Sequence, residues 1–241
     1  MELLTSIRHN AILRALPDRA QARLCEAATS RHLTRGDRVW ARATPVGGVA
    51  LVCTGVVLVA LPAFTQGADI GTDLYGARDL AGLDDALHGI EHTTDATALS
   101  SVRLVDLPCS VLLEELSFSP QAAMCVAKEI ARRSQSVARR LRAQSADVER
   151  RIAMMLLDLY ATWGDDDTSD GTHHIPLRLQ RRDQASLVGT SVETLIRTMS
   201  KFARDGIVTQ DAEGTIVIAK LDALRSIADR TIGRATTAAD V

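Results

Sequence analysis

A helix-turn-helix pattern in the last third of the chain constrains its fold more than any other feature. Residues 181–189 have the pattern of a short helix that ends in glycine. Residues 192–206 have the pattern of a second helix, which Ser191 can cap. Ala185 is small, as the crossing of two closely packed helices requires. The spacing therefore predicts two helices joined by a tight turn.

Two β-rich runs follow the second helix. Residues 207–209 and 215–218 are rich in β-branched side chains and flank a turn that ends at Gly214. Such a pair of strands after a helix-turn-helix forms a wing. The local pattern therefore predicts a winged helix-turn-helix, a DNA-binding module, although a plain helical hairpin with a charged outer face would share much of it.

The second helix, residues 191–204, is the candidate recognition helix. Arginine can donate two hydrogen bonds to guanine, and glutamate can accept one from cytosine. The residues predicted to contact bases share one face of its first two turns and are Val192, Glu193, Ile196 and Arg197. The residues predicted to contact phosphates are polar or basic and are Arg178, Gln180, Arg181, Arg182, Ser191 and Lys201.

Charge is distributed unevenly along the chain, and this matters more than the net charge of −2. Residues 67–106 are rich in acids, whereas residues 128–151 and 178–204 are rich in arginine. Aromatic residues make up only 3% of the chain, which argues against a stacking platform for single-stranded nucleic acid. The basic stretches favour a double-stranded partner.

The region before residue 119 reads mainly as β-structure. Residues 49–59 are β-branched around Gly55, which indicates two strands around a tight turn. Residues 101–107 alternate apolar and polar side chains and end at Pro108. Several short strands with regular glycine breaks predict a small β-barrel or sandwich.

A long helix is predicted after Ser119 and Pro120, because residues 121–161 contain neither proline nor glycine. A heptad seam runs along it and extends as far as positions 144 and 148. Its members predicted to form a dimer interface are Ala127, Ile130, Ser134, Val137 and Leu141. The alternative is a long helix packed on its own domain.

Other classes of protein find little support. The amino terminus lacks a signal-peptide pattern, and no apolar run is long enough to span a bilayer, so we expect a cytoplasmic protein without a membrane partner. The four cysteines are scattered, residues 173–174 are interpreted as a pair of loop histidines and not as metal ligands, and we predict no metal site. No nucleophile–base set, HExxH motif or phosphate-binding loop is present, so we expect no enzymatic activity and no catalytic residues.

From about Ile12 to Ala228, the chain resembles the CRP/FNR family of bacterial transcription regulators. The sharpest likeness is to the family pattern Gly-x-Ser-x-Glu-Thr-x-x-Arg, carried here by Gly189, Ser191, Glu193, Thr194 and Arg197. More diffuse matches occur at residues 16–17, 33–37, 51–56, 73–76, 98, 130–133 and 151–157.

The resemblance implies an α+β fold in three parts. Residues 1–118 would form a sensor β-barrel, a double-stranded β-helix of the cyclic-nucleotide-binding type. Residues 119–147 would form the dimerisation helix, and residues 148–241 the C-terminal winged helix-turn-helix domain. The resemblance also implies a homodimer that binds a palindromic DNA site with TGA-containing half-sites and contacts RNA polymerase.

The effector is less well defined by the sequence. Family members that bind cyclic AMP have Gly-Glu where this chain has Gly76-Ala77, and they have an arginine about ten residues further on, where this chain has none in residues 92–95. We therefore expect a regulator that does not depend on cyclic AMP. The resemblance allows haem as a cofactor, although no histidine is singled out, and the cofactor-binding residues stay unknown. The alternative function is a small-molecule, gas or redox sensor that acts through haem or protein contacts.

Overall fold

The chain folds into two compact units, Met1–Ala138 and Arg139–Val241. The computed structural model describes residues 2–61, 70–143, 146–165, 171–210 and 214–229. Helices and antiparallel strands lie mostly in separate stretches of the chain, as in an α+β fold, which confirms the predicted fold class. No helix in the described ranges is both long and apolar enough to cross a membrane.

The first unit begins with three helices that the sequence patterns did not single out. They are α1 (Glu2–His9), α2 (Ala11–Arg14) and α3 (Asp18–Ala27). The side chain of Asn10 caps α2 by accepting hydrogen bonds from the backbone nitrogens of Ile12 and Leu13, both at 3.0 Å. Leu13 and Leu24 are fully buried against strands of the sensor region, so these helices cover one face of the β-structure.

In the part of the first unit that the structure describes, eight strands form two antiparallel sheets. Their bounds are β1 (Thr29–Leu33), β2 (Arg38–Trp40), β3 (Gly48–Thr54), β4 (Val57–Leu61), β5 (Ile70–Tyr75), β6 (Leu80–Ala81), β7 (Asp95–Ala98) and β8 (Val102–Pro108). The strand orders are β1-β8-β3-β6 and β2-β7-β4-β5. No strand pairing joins the two sheets in the described ranges. The predicted barrel is therefore not closed, although the predicted β-rich first part of the chain is present.

The run at residues 49–59 forms two strands, as predicted, but they belong to different sheets. Gly55 lies between them with a φ of +83°. A Cβ atom at this position would lie 2.3 Å from the carbonyl oxygen of Ser101, so only glycine fits. The turn therefore carries the chain from one sheet into the other instead of closing a hairpin.

Three further helices follow in the described residues: α4 (Leu83–His88), α5 (Cys109–Ser117) and α6 (Pro120–Ala143), the last of which crosses the boundary of the first unit at Ala138. Ser119 begins the long helix α6 as predicted, because its Oγ accepts a hydrogen bond from the backbone nitrogen of Ala122. All four cysteines are partly buried and pack against the apolar core of this unit.

An arginine of α6 makes several contacts with strand β5. The guanidinium of Arg133 lies 4.1 Å from the centre of the Tyr75 ring, a cation–π contact. It also pairs with Asp73 at 2.5 Å and with Glu129 at 2.8 Å. Burial raises the pKa of the Tyr75 hydroxyl well above its usual value, so this ring is neutral beneath the cation.

In its described residues, the second unit contains four helices and a small sheet. The elements are α7 (Val148–Trp163), β9 (His173–Ile175), α8 (Arg181–Val188), α9 (Val192–Arg204), β10 (Val208–Gln210), β11 (Ile216–Ile218) and α10 (Leu221–Ala228). Ile152 and Leu156 of α7 and Phe202 of α9 are fully buried and anchor its core.

Two expectations from the sequence are wrong in this region. The heptad seam cannot continue to position 148, because α6 ends at Ala143 and Val148 belongs to α7, which Asp147 caps. Position 144 lies outside the described residues. The pair His173-His174 was expected in a loop but lies in β9, which pairs with β11 in the order β10-β11-β9. The wing is therefore part of a three-stranded sheet.

Candidate nucleic-acid interface

The first helix of the motif, α8, begins and ends where the sequence predicts. The carboxylate of Asp183 accepts a hydrogen bond from the backbone nitrogen of Gln180 at 3.1 Å, which satisfies an otherwise unpaired donor at the helix start. Gly189 follows the helix with a φ of +68°, a conformation that favours glycine. Ala185 is fully buried, as the close crossing of the two helices requires.

Gln184 is a fully buried polar residue in this helix. Its Nε2 donates to the carbonyl oxygen of Leu179 at 2.9 Å, and its Oε1 accepts from Arg181 at 3.2 Å. A buried amide is tolerated only when such partners are present. Gln184 therefore fixes the segment that leads into the motif.

The recognition helix α9 is amphipathic. Ser191 caps it as predicted, because its Oγ accepts from the backbone nitrogen of Thr194 at 3.2 Å. Leu195, Met199 and Phe202 recur on its inner face and are buried. Val188 of α8 is buried as well, whereas Leu187 of the same helix is only half-buried.

The four residues predicted to contact bases are all exposed on the outer face of α9. Val192 and Ile196 are exposed by 37% and 46%, which is unusual for large apolar side chains. Glu193 and Arg197 stand four residues apart, yet their side chains pair neither with each other nor with any other residue in the described ranges. This face therefore carries a free acceptor, a free donor and two apolar contacts.

The residues predicted to contact phosphates differ in their surroundings. Arg182 is 74% exposed, and Arg178, Gln180 and Ser191 are exposed as well. Arg181 is half-buried, and burial lowers the pKa of its guanidinium from an already high value. Lys201 is held in an ion pair with Glu149 of α7. Their roles toward DNA stay predictions.

The wing follows α9 directly. Strands β10 and β11 pair antiparallel, with Val208 opposite Ile218 and Gln210 opposite Ile216. The tip, residues 211–213, lies outside the described residues. Ile216 and Ile218 are fully buried, so the sheet is fixed to the helices by apolar packing.

The predicted dimer residues occupy an uncovered stripe of α6. Ala127, Ile130, Ser134 and Val137 are exposed, Ile130 by 44% and Val137 by 50%. The side chain of Leu141 lies outside what the structure describes. Met124, at 57% exposure, extends the apolar surface toward the start of the helix. Such a stripe on a single chain is typical of a helix that packs against a partner.

In the first unit, we located the positions at which the sequence differs from family members that bind cyclic AMP. Ala77 is exposed, where family members that bind cyclic AMP have glutamate. The carboxylate of Asp95 accepts a hydrogen bond from the backbone nitrogen of Arg42 at 3.1 Å. In the described ranges, no group of three or more histidine, cysteine or acidic side chains could hold a metal ion.

Sequence reasoning missed one polar cluster in this unit. His92 and Asp85 are both buried, and the Nδ1 of His92 lies 3.1 Å from the Oδ2 of Asp85. The ring of Trp40 stacks on His92, with their centres 4.6 Å apart. Asp85 and His92 are seven residues apart but match no motif that we recognised, and Trp40 is distant from both in the chain, so the fold brings the three together.

Comparisons with known proteins agree with this geometry. Residues 150–227 match the family model of the Crp-like helix-turn-helix domain. A CRP-like cAMP-activated global transcriptional regulator of Mycobacterium tuberculosis is 24% identical over 184 residues, which cover 76% of this chain and 81% of that protein.

Solved structures share the fold of most of the chain. FixK2 from Bradyrhizobium japonicum has a TM-score of 0.75 at 20% identity and covers 85% of this chain and 98% of its own. The c-di-GMP responsive global regulator CLP of Xanthomonas campestris has a TM-score of 0.66 at 19% identity, with 84% and 99% covered. CooA of Carboxydothermus hydrogenoformans has a TM-score of 0.69 at 16% identity, with 84% and 88% covered.

The fold and the motif together define a protein with a C-terminal winged helix-turn-helix and an N-terminal β-rich unit of the cyclic-nucleotide-binding type of fold. More specifically, residues 150–227 are similar to the helix-turn-helix domain of Crp-like proteins, and the chain shares its fold with solved structures of CRP/FNR-type regulators.

Proposed function

We propose that this protein is a homodimeric regulator that binds an inverted-repeat DNA site through α9. The observation that carries the proposal is the outer face of α9, where the side chains of Glu193 and Arg197 are exposed and unpaired in the described ranges. Arg197 would donate to a guanine, and Glu193 would accept from a neighbouring cytosine. Val192 and Ile196 would contact the methyl groups of thymines.

Two copies of the chain would meet along the stripe of Ala127, Ile130, Ser134 and Val137 on α6. An exposed apolar surface of this kind is costly in water and is covered when two such helices pair. A two-fold dimer presents two recognition helices to DNA. We therefore expect TGA-containing half-sites whose centres are about one helical turn, ~34 Å, apart.

We further propose that cyclic AMP is not the effector. Ala77 cannot accept a hydrogen bond from a ribose hydroxyl, and the carboxylate of Asp95 would repel a phosphate. The M. tuberculosis relative is named as cAMP-activated and the X. campestris regulator as c-di-GMP responsive, so similar chains respond to different ligands.

The remaining functional assignments follow from this role. The protein would act by binding and not by catalysis, in the cytoplasm, where the chromosome and RNA polymerase are present. RNA polymerase is the expected protein partner. A sensor whose output is protein contact alone, or one that uses haem, is the alternative.

A titration of DNA binding against salt tests the proposal. Fluorescence anisotropy would compare the full chain on a duplex with two TGA-containing half-sites in inverted repeat and on a scrambled duplex. We expect preference for the repeat and a steep loss of affinity with salt, because each phosphate that is neutralised releases counterions. A flat salt response on both duplexes would support the protein-contact alternative instead.

A further inference from the structure

A cavity of about 560 Å³ opens in the first unit and is lined by residues from both sheets. Pockets that bind small molecules have volumes of roughly 300–1,000 Å³ and mostly apolar walls. Val39, Pro45, Ala50 and Pro108 supply the apolar wall here. The polar groups at this cavity decide what it can hold.

His92 is the most constrained polar group of the lining and is only 6% exposed. Its Nδ1 faces the Oδ2 of Asp85, and the other oxygen of Asp85 accepts from the backbone nitrogen of Thr93 at 3.2 Å and from its hydroxyl at 2.8 Å. Because a carboxylate accepts and cannot donate, the proton of the neutral imidazole lies on Nδ1. The Nε2 atom is then an acceptor.

The orientation of this ring is fixed from a second side. Trp40 stacks on His92 with an angle of 13° between the rings, and the indole nitrogen donates to the carbonyl oxygen of Thr94 at 3.0 Å. The Nε2 of His92 has no hydrogen-bond partner in the described part of the chain and is not sealed from the cavity. The ring thus offers one preorganised acceptor to an occupant.

A free cation lines the same cavity. The guanidinium of Arg38 is exposed and pairs with no described residue, whereas Arg31 is held by Asp106 and by the carbonyl oxygen of Val39. A guanidinium binds a carboxylate through two parallel hydrogen bonds. Arg38 therefore supplies an unused site for an anionic group.

The rim of the cavity is held rigidly beside His92. The backbone nitrogen of His92 donates to Thr44 at 2.9 Å, and that of Ala43 donates to His92 at 2.8 Å. Ala43 has a φ of +57°, a left-handed conformation that costs free energy in an alanine. Strain of this kind is maintained only where the surrounding contacts fix the backbone.

We propose that this cavity binds a small aliphatic hydroxy acid, with the carboxylate on Arg38 and the hydroxyl donating to the Nε2 of His92. The alkyl chain would lie against Val39 and Pro45. The site is independent of the DNA-binding face, and direct ligand binding tests it without DNA. If the chain did not bind the proposed DNA site, the proposal of a hydroxy-acid cavity would be unaffected. If the cavity did not bind a hydroxy acid, the proposed DNA site would be unaffected.

Isothermal titration of the full chain would use four probes of one chain length. 3-Hydroxyhexanoate and 6-hydroxyhexanoate hold the hydroxyl near to and far from the carboxylate, hexanoate lacks the hydroxyl, and hexan-1-ol lacks the carboxylate. We expect one hydroxy acid to bind once per chain, about tenfold more tightly than hexanoate, because one buried hydrogen bond is worth about this factor.

Two variants separate the two contacts. His92→Asn keeps a donor toward Asp85 and removes Nε2, so it should reduce the affinity for the hydroxy acid to that for hexanoate and leave hexanoate binding unchanged. Arg38→Gln should lower the affinity of the chain for both the hydroxy acid and hexanoate. Arg42→Gln removes a neighbouring exposed arginine outside the lining and should change neither affinity.

Three outcomes would overturn the proposal. One is the absence of binding by either hydroxy acid at ~10 mM, an affinity too weak for a preorganised site. Another is equal binding to the wild-type chain and to both variants. The third is a haem absorption band in the purified protein that His92→Asn removes, because His92 would then be an axial ligand.

Discussion

The Nζ of Lys201 on the recognition helix lies 2.5 Å from the Oε2 of Glu149 in the first turn of α7. Lys201 was predicted to contact a phosphate. Glu149 would therefore compete with a DNA phosphate for the ammonium group of Lys201. The pair is partly exposed, with 47% of the lysine side chain accessible, so its net contribution to stability is about 0–1 kcal/mol. DNA phosphates can therefore displace Glu149 at little cost.

Glu149→Gln should tighten binding to DNA of any sequence. The substitution frees Lys201 and removes a negative charge near the phosphates, so we expect about a fivefold gain at low salt and a salt slope steeper by up to about 0.9. Anisotropy titrations on cognate and scrambled duplexes measure both. Asp222→Asn removes an acid that pairs with Arg225 on α10 and serves as the control of equal charge change. An unchanged slope for Glu149→Gln would show that Lys201 does not reach a phosphate.

Arg197→Ala should remove sequence preference. The free guanidinium of Arg197 is assigned to a guanine, so its loss should cost roughly 1–3 kcal/mol on the cognate site and relax selection at that base pair. Arg182→Ala, at a 74% exposed position, should weaken all sequences about equally and make the salt slope shallower. Equal losses on cognate and scrambled DNA for Arg197→Ala would instead make it a phosphate contact.

The DNA-binding motif could be predicted from the sequence because its determinants are local. Gly189, Ala185 and the cap at Ser191 act within a few residues of each other, and each lies as expected. Sheet membership could not be predicted, because Val52 and Val57 are close in the chain yet pair with strands distant in sequence.

The cavity of the first unit likewise could not be predicted from the sequence. It depends on contacts between positions more than fifty residues apart, such as the indole of Trp40 and the carbonyl of Thr94. Residues 173–174 were misassigned because their strand is stabilised by pairing with β11 and not by local preference. Short-range patterns carry no information about either contact.

Cyclic AMP should not bind at micromolar concentrations. Ala77 lacks the carboxylate that would hold a ribose, and residues 92–95 lack an arginine for the phosphate. Isothermal titration of the full chain should give no heat beyond dilution. A stoichiometric, saturable signal would refute this expectation and would indicate that cyclic AMP is an effector of this protein.

Arg133→Gln should destabilise the sensor unit by about 2 kcal/mol, because it leaves the carboxylate of Asp73 without its cation and removes the contact with the Tyr75 ring. Only 18% of the Arg133 side chain is exposed. Arg132→Gln is the matched control: Arg132 is 61% exposed, pairs with Glu129 alone and should cost less than 1 kcal/mol. Urea denaturation followed by circular dichroism measures both. If both variants lost the same free energy of unfolding, the contacts of Arg133 with Asp73 and Tyr75 would not stabilise the packing of α6.

Val137→Asp should convert the dimer into a monomer. Val137 is 50% exposed on a single chain, so aspartate there should not disturb the fold of that chain. In a dimer that pairs along α6, the same carboxylate would be buried without a partner, which is strongly unfavourable. Sedimentation velocity should show one species of single-chain mass, with an unchanged far-ultraviolet circular dichroism spectrum. Gln135→Asp, an exposed position on α6 outside the seam, introduces a carboxylate nearby and should stay dimeric. If Val137→Asp remains fully dimeric, the two copies meet on another surface and the α6 seam is wrong.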